Sequence, residues 1–159
     1  MKIGFIKDVD GYRAPIHPES IDKYTIDIHL EKDMFDYLNY LEPKNVKYIS
    51  KLNELDIVAC VENIDEKTVK NLKKGAVLIG IFDFDKIEEI KNLRPDIKIL
   101  SFFKLPRISR AQNLDALSSQ ANLLGYASVL RAAKETSDVV PMMTTAAGNI
   151  QPSKVLILG

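Results

Sequence analysis

At 159 residues, with 46% hydrophobic and 28% charged side chains, the chain has the length and composition of a soluble globular domain with a core of its own. Its 22 basic and 22 acidic side chains cancel, which removes any general pull toward nucleic acid or an anionic membrane surface. The single cysteine excludes an internal disulfide framework and suits a reducing cytoplasm, and no apolar run approaches the roughly 18 residues needed to cross a bilayer.

The opening MKIGFIKDVDG turns charged too early for a signal peptide. Lys2–Ile6 reads as a short strand closed by the turn cluster DVDG. Prolines at 15 and 18 deny YRAPIHPES a helix interior, so an extended loop is expected around Arg13, with Glu19 or Ser20 capping a brief turn. Tyr24–Leu30 alternates apolar and polar residues as a half-buried strand does. Asp33–Leu41 sets Phe35, Leu38 and Leu41 at helical spacing, with Asp33 as a cap and Pro43 beyond the end.

The alternation then becomes regular. Val46–Ile49 and Asp56–Val61 are expected strands, and Cys60 within DIVACVEN reads as a small core residue. Asp65–Lys73 is an expected helix, acidic at its start, basic at its end and stopped by Gly75. Ala76–Ile81 is a buried strand, Asp85–Asn92 a helix ended by Arg94-Pro95, and Ile97–Phe102 a further strand. Strands alternating with helices across short turns imply an α/β fold, doubly wound, whose mostly parallel sheet is covered on both faces.

The next segment is of another kind. LPRISRAQ is a polar loop, and from about residue 112 a helix rich in Ala, Ser and Gly runs to Glu135. Such small residues admit a close-packed neighbour. Residues 136–153 form a connector, and Lys154–Leu158 (KVLIL) reads as one more buried strand before Gly159. The divisions expected are an N-terminal α/β domain over 1–135 and, over 136–159, a connector plus the first strand of a nucleotide-binding domain that is otherwise absent. A strand running into a glycine is the opening of a dinucleotide-binding turn, though one glycine is a weak signal. On residue chemistry alone, Arg107 and Asp115 read as a loop ion pair, with Asp115 favouring the first helical turn. Arg13 reads as an arginine capping sheet carbonyls. His17 and His29 have no metal-ligand spacing.

Two blocks carry a resemblance. Pro106–Val129 and the run Thr145–Gly159, with Gly148, Ile150, Pro152, Lys154 and Val155 in register, closely resemble the NAD-binding alpha subunit of proton-translocating NAD(P) transhydrogenase. The resemblance implies a Rossmann/flavodoxin-like fold with a long helix. It also implies that Arg107, Gln112 and Asp115 act at the hydride-transfer site and that Ser118, Arg13 and Gly159 contact cofactor. NAD(H) would be the cofactor of the whole enzyme, with NADP(H) on a partner component and a separate membrane component coupling the reaction to protons. A cytoplasmic subunit, held at the inner membrane through its partners, follows from it, whereas a homodimer is expected because exposed edges and an apolar strand invite pairing. Two alternatives stay open: a non-catalytic assembly module of the same fold, and a fragment of an alanine dehydrogenase-like oxidoreductase. Residues 30–45 are shorter than the family's and lack glycine, and the family continues for a full nucleotide-binding domain past residue 159. The chain alone is therefore expected to bind NAD(H) weakly or not at all and to be inactive, with the apolar strand 154–158 tucked in or given to a partner.

Overall fold

The computed structural model describes residues 1–10, 13–21, 23, 26–35 and 46–158. The chain divides into two units, Met1–Asp115 and Ala116–Gly159. The first is built on strands β1 (Lys2–Phe5), β2 (Asp27–Leu30), β3 (Lys47–Tyr48), β4 (Ile57–Ala59), β5 (Val77–Gly80) and β6 (Lys98–Ser101), with helices α1 (Pro18–Ile21), α2 (Glu66–Lys70) and α3 (Phe84–Leu93). The sheet order is β3-β2-β1-β4-β5-β6, and every neighbouring pair is parallel. From β1 the chain winds outward to β3, then returns beside β1 and winds the other way to β6. That is the doubly wound order, whose direction reverses between β1 and β4.

Alternation along the strands sorts the core. Val58, Cys60 and Leu78 face one side with Ile6, Phe82, Val69, Ile87 and Ile90, which brings α2 and α3 onto that face. A second cluster gathers Ile21, Ile28, Leu30, Met34 and Phe35, with Phe5, Ile16 and Val46 against it. Gly4 of β1 has no side chain because Leu55 packs where a Cβ would stand. Coverage of the sheet is uneven among the described residues. On β5, Leu78 and Gly80 are buried while Val77 and Ile79 are half-buried, and on edge strand β6 Lys98 and Leu100 are exposed.

Local chemistry explains the helix ends. Asp65 accepts from Thr68 N at 2.7 Å and Asp83 from Lys86 N at 2.8 Å, so each carboxylate caps the helix that follows it. Gly75 turns the chain after α2 at φ +72°, the left-handed conformation glycine allows. Arg94, just past α3, donates to the carbonyls of Lys70 and Leu72 at 2.9 and 3.0 Å and grips Asp96 through two bonds. It thereby caps α2 from another helix, and Asp96 accepts from Gly75 N at 3.1 Å. Asp33 is no helix cap: it sits in a turn at φ +59°, a conformation aspartate tolerates. The rest of the helix expected over Asp33–Leu41 lies outside the described residues beyond 35, as do 24–25 at the start of the expected second strand.

The second unit holds α4 (Ala116–Glu135) and an antiparallel hairpin of β7 (Met143–Thr145) and β8 (Gly148–Ile150). The helix starts at Ala116 rather than near 112 because Ser109–Leu114 forms a tighter 3₁₀ turn. None of its residues is buried, and nothing lies within 4 Å of where a Cβ on Gly125 would stand. Thr145 closes the hairpin, its Oγ1 donating to Gly148 O at 2.9 Å and accepting from Ala147 N at 3.2 Å. Lys154–Leu158 is not a buried strand. It pairs with no neighbour among the described residues, and Val155–Leu158 stand 72–85% exposed. An apolar run specifies a strand only where a sheet edge receives it.

Candidate cofactor cleft

β6 delivers the chain to a segment of short turns. Ser101 ends the strand, residues 102–104 make a 3₁₀ turn, and Leu105 N bonds Phe102 O at 3.2 Å. After Pro106 the chain folds back, with Ile108 N on Pro106 O at 2.9 Å and Ala111 N on Ile108 O at 2.9 Å. Buried Ala111 anchors the middle of the loop. Asp115 N then closes on Gln112 O at 3.2 Å.

These turns border an open cleft of about 370 Å³ lined by Pro106, Arg107, Ile108, Ser109, Ala111, Gln112 and Asp115. The structure thus brings Arg107, Gln112 and Asp115 to one cleft, with Arg107 and Gln112 exposed and Asp115 half-buried. A guanidinium set in one cleft with a primary amide and a carboxylate is a donor-and-acceptor set suited to a carboxamide and an anionic oxygen. The cavity is also in the size range of small-molecule sites.

The other expected contacts lie elsewhere. Ser118 is in the first turn of α4, in the second unit, and Gly159 is outside the described residues. Arg13 belongs to a cluster at the carboxyl ends of β1 and β4. Its Nη2 lies 2.6 Å from Glu62 Oε2 and 3.0 Å from Asp8 Oδ2. Asp8 is fully buried, and its Oδ1 accepts from the backbone N–H of Val61, Glu62 and Asn63 at 3.0–3.3 Å. The Glu62 hydrogen bond, aided by the charge of Asp8, raises the Arg13 pKa above its ordinary value. Beside this cluster a crevice of about 410 Å³ runs along the carboxyl ends of β1 to β4, lined in part by Lys7, Asp8, Glu31, Asn63 and Asp65. This is where the strand order reverses, and open α/β sheets carry ligands at such points. Sequence reasoning passed over Asp8 and Glu62. The signal available was KDVDG at the exit of the first strand. Cys60 takes no part: burial pushes its thiol up to about 12.

A parallel sheet in the order β3-β2-β1-β4-β5-β6, with a polar cleft on the loop after its last strand, defines a Rossmann-like α/β domain. No family model matches the chain. It is 33% identical over 146 residues to the first part of the NAD(P) transhydrogenase alpha subunit of Rickettsia prowazekii, covering 83% of this chain and 38% of that protein. It is 41% identical over 106 residues to NAD(P) transhydrogenase subunit alpha of Haemophilus influenzae, covering 65% and 21%. Over 101 residues it is 43% identical to the corresponding first part of the alpha subunit of Rhodospirillum rubrum, covering 62% and 26%. The crystal structure of transhydrogenase from Sinorhizobium meliloti superposes with a TM-score of 0.82 at 28% identity, covering 96% of this chain and 50% of that one. The chain is a relative of the NAD(P) transhydrogenase alpha subunit, an oxidoreductase subunit, and matches its N-terminal region. It spans less than half the length of each of these curated relatives.

Proposed function

We propose that the chain serves as the N-terminal portion of a proton-translocating NAD(P) transhydrogenase alpha subunit. In this role its 105–115 loop holds the nicotinamide end of NAD(H) against the NADP(H) of a partner component. The observation that carries this reading is the convergence of Arg107, Gln112 and Asp115 on one cleft. NAD(H), when bound, supplies the hydride. The protein's own task is to hold two rings at near-contact distance, which is a matter of position more than of proton transfer. Gln112 bonds a carboxamide or ribose hydroxyl, Arg107 fixes an anionic oxygen, and Asp115 sets the loop's register. Ser118, Arg13 and Gly159 add contacts, and residues 136–159 lead toward a nucleotide-binding region. The working unit is a dimer, peripheral to the membrane through its partner subunits.

The test supplies the chain to the remaining components of a related transhydrogenase and follows hydride transfer from NADH to an NADP⁺ analogue. The chain restores transfer, and Arg107→Ala or Gln112→Ala lowers it by about tenfold, one lost transition-state contact of about 1.4 kcal/mol. No gain on adding the chain would refute the proposal. Calorimetric titration of the chain alone with NADH shows weak or no binding in this reading, so micromolar affinity would count against it. The alternative of an assembly module is favoured by the long helix α4, none of whose residues is buried. In that case Arg107→Ala changes nothing while disrupting α4 abolishes partner binding.

A further inference from the structure

One residue outside the cleft lining holds the root of the loop. Ser101, the last residue of β6, is half-buried. Its Oγ accepts from Phe82 N at 2.9 Å and from Phe103 N at 3.1 Å, and it donates to Phe82 O at 2.6 Å. One hydroxyl thus joins the exit of β5 to the first turn of the loop. Phe103 then packs edge-on against Phe84 at 5.7 Å between ring centroids, and Lys104 Nζ lies 5.2 Å from the same ring centre. The chain is therefore fixed both to the end of β5 and to the start of α3 before it reaches Pro106.

We infer that Ser101 is a positioning residue, which sets where Arg107 and Gln112 stand in the cleft; the inference rests on the role proposed above for that loop. The position needs a group that donates to a carbonyl and accepts from amides at once, and a hydroxyl does both. Alanine would leave Phe82 N, Phe82 O and Phe103 N without this partner. Threonine keeps the oxygen, and its branched Cβ suits the extended backbone here, with φ −103° and ψ 128°.

Ser101→Ala, Ser101→Thr and Arg107→Ala are compared in the chain assembled with the remaining transhydrogenase components. Ser101→Ala lowers kcat for hydride transfer by about tenfold, leaves KM for NADH within about twofold, and Ser101→Thr restores kcat to within about twofold, as expected when geometry alone is disturbed. In the same variants, amide hydrogen exchange quickens across 102–114 in Ser101→Ala but not across β1 and β4. Full kcat in Ser101→Ala while Arg107→Ala is impaired overturns the positioning role and leaves the loop's function standing. An Arg107→Ala variant of full activity overturns both. Faster exchange throughout the sheet makes Ser101 a stability residue and also overturns the inference.

Discussion

Asp8→Ala tests the account of the β1–β4 junction. The side chain is 0% exposed, and its Oδ1 serves three backbone N–H groups at 3.0–3.3 Å. Removing the carboxylate strips that acceptor from all three, at about 1 kcal/mol each where burial is partial, so the loss is about 3 kcal/mol. Arg13 adds little, because its side chain is 37% exposed and regains water. For a domain of this size about 1 kcal/mol moves Tm by roughly 4 °C, so Tm falls by about 12 °C. Asp8→Asn keeps an oxygen for the amides and loses only the charge facing Arg13, costing about 1 kcal/mol. Urea unfolding followed by circular dichroism gives both values. Asp8→Ala within about 1 kcal/mol of the parent would refute the reasoning, since water would then be serving those amides. Asn as damaging as Ala would show that charge, not the acceptor, matters at this site.

Gly75→Ala costs about 1 kcal/mol in the same unfolding assay. With nothing within 4 Å of a new Cβ, the penalty comes from forcing alanine to φ +72°, and a neutral result would show that the turn shifts freely. Asp27, Asp56, Asp65, Glu66 and Asp96 all have carboxyls held below their ordinary pKa, chiefly by hydrogen bonds from Lys47, Lys73, Thr68, Lys70 and Arg94 respectively. A folded pKa below the unfolded one stabilises above about pH 4 and loses that contribution as pH falls through the folded value, so the urea midpoint drops below pH 4; a midpoint rising there would contradict these pairings. Cys60, with its thiol pushed up to about 12, stays unreactive toward a disulfide reagent at pH 8 until the chain is unfolded, and rapid native labelling would contradict its burial.

The sheet could be read from the sequence because its signals are local. DIVACV and AVLIGI are short apolar runs, and Asp65 and Gly75 mark helix ends within a few residues of what they cap. Arg107, Gln112 and Asp115 are singled out by the resemblance, and their sharing one cleft follows from their lying in one continuous loop. What escaped depends on distant partners. Arg94 caps carbonyls of Lys70 and Leu72, and Asp8 gathers amides at 61–63. The turn cluster KDVDG marks Asp8 as a candidate but does not name the amides it serves, and the Arg94 spacing has no sequence signature. KVLIL misled because its composition describes a strand without naming the strand it would join. Asp33 read as a cap because a cap and a left-handed turn favour the same short carboxylate.

Helix α4 hides none of its side chains, so it has little to expose when it melts. Heat capacity and denaturant sensitivity both follow newly wetted surface, and Met1–Asp115 supplies nearly all of that. Far-ultraviolet ellipticity, by contrast, counts every helical peptide wherever it lies. Calorimetric and optical melts of this protein therefore part company: the helix signal fades over a broad range of temperature, while the absorbed heat marks one sharper event in the sheet.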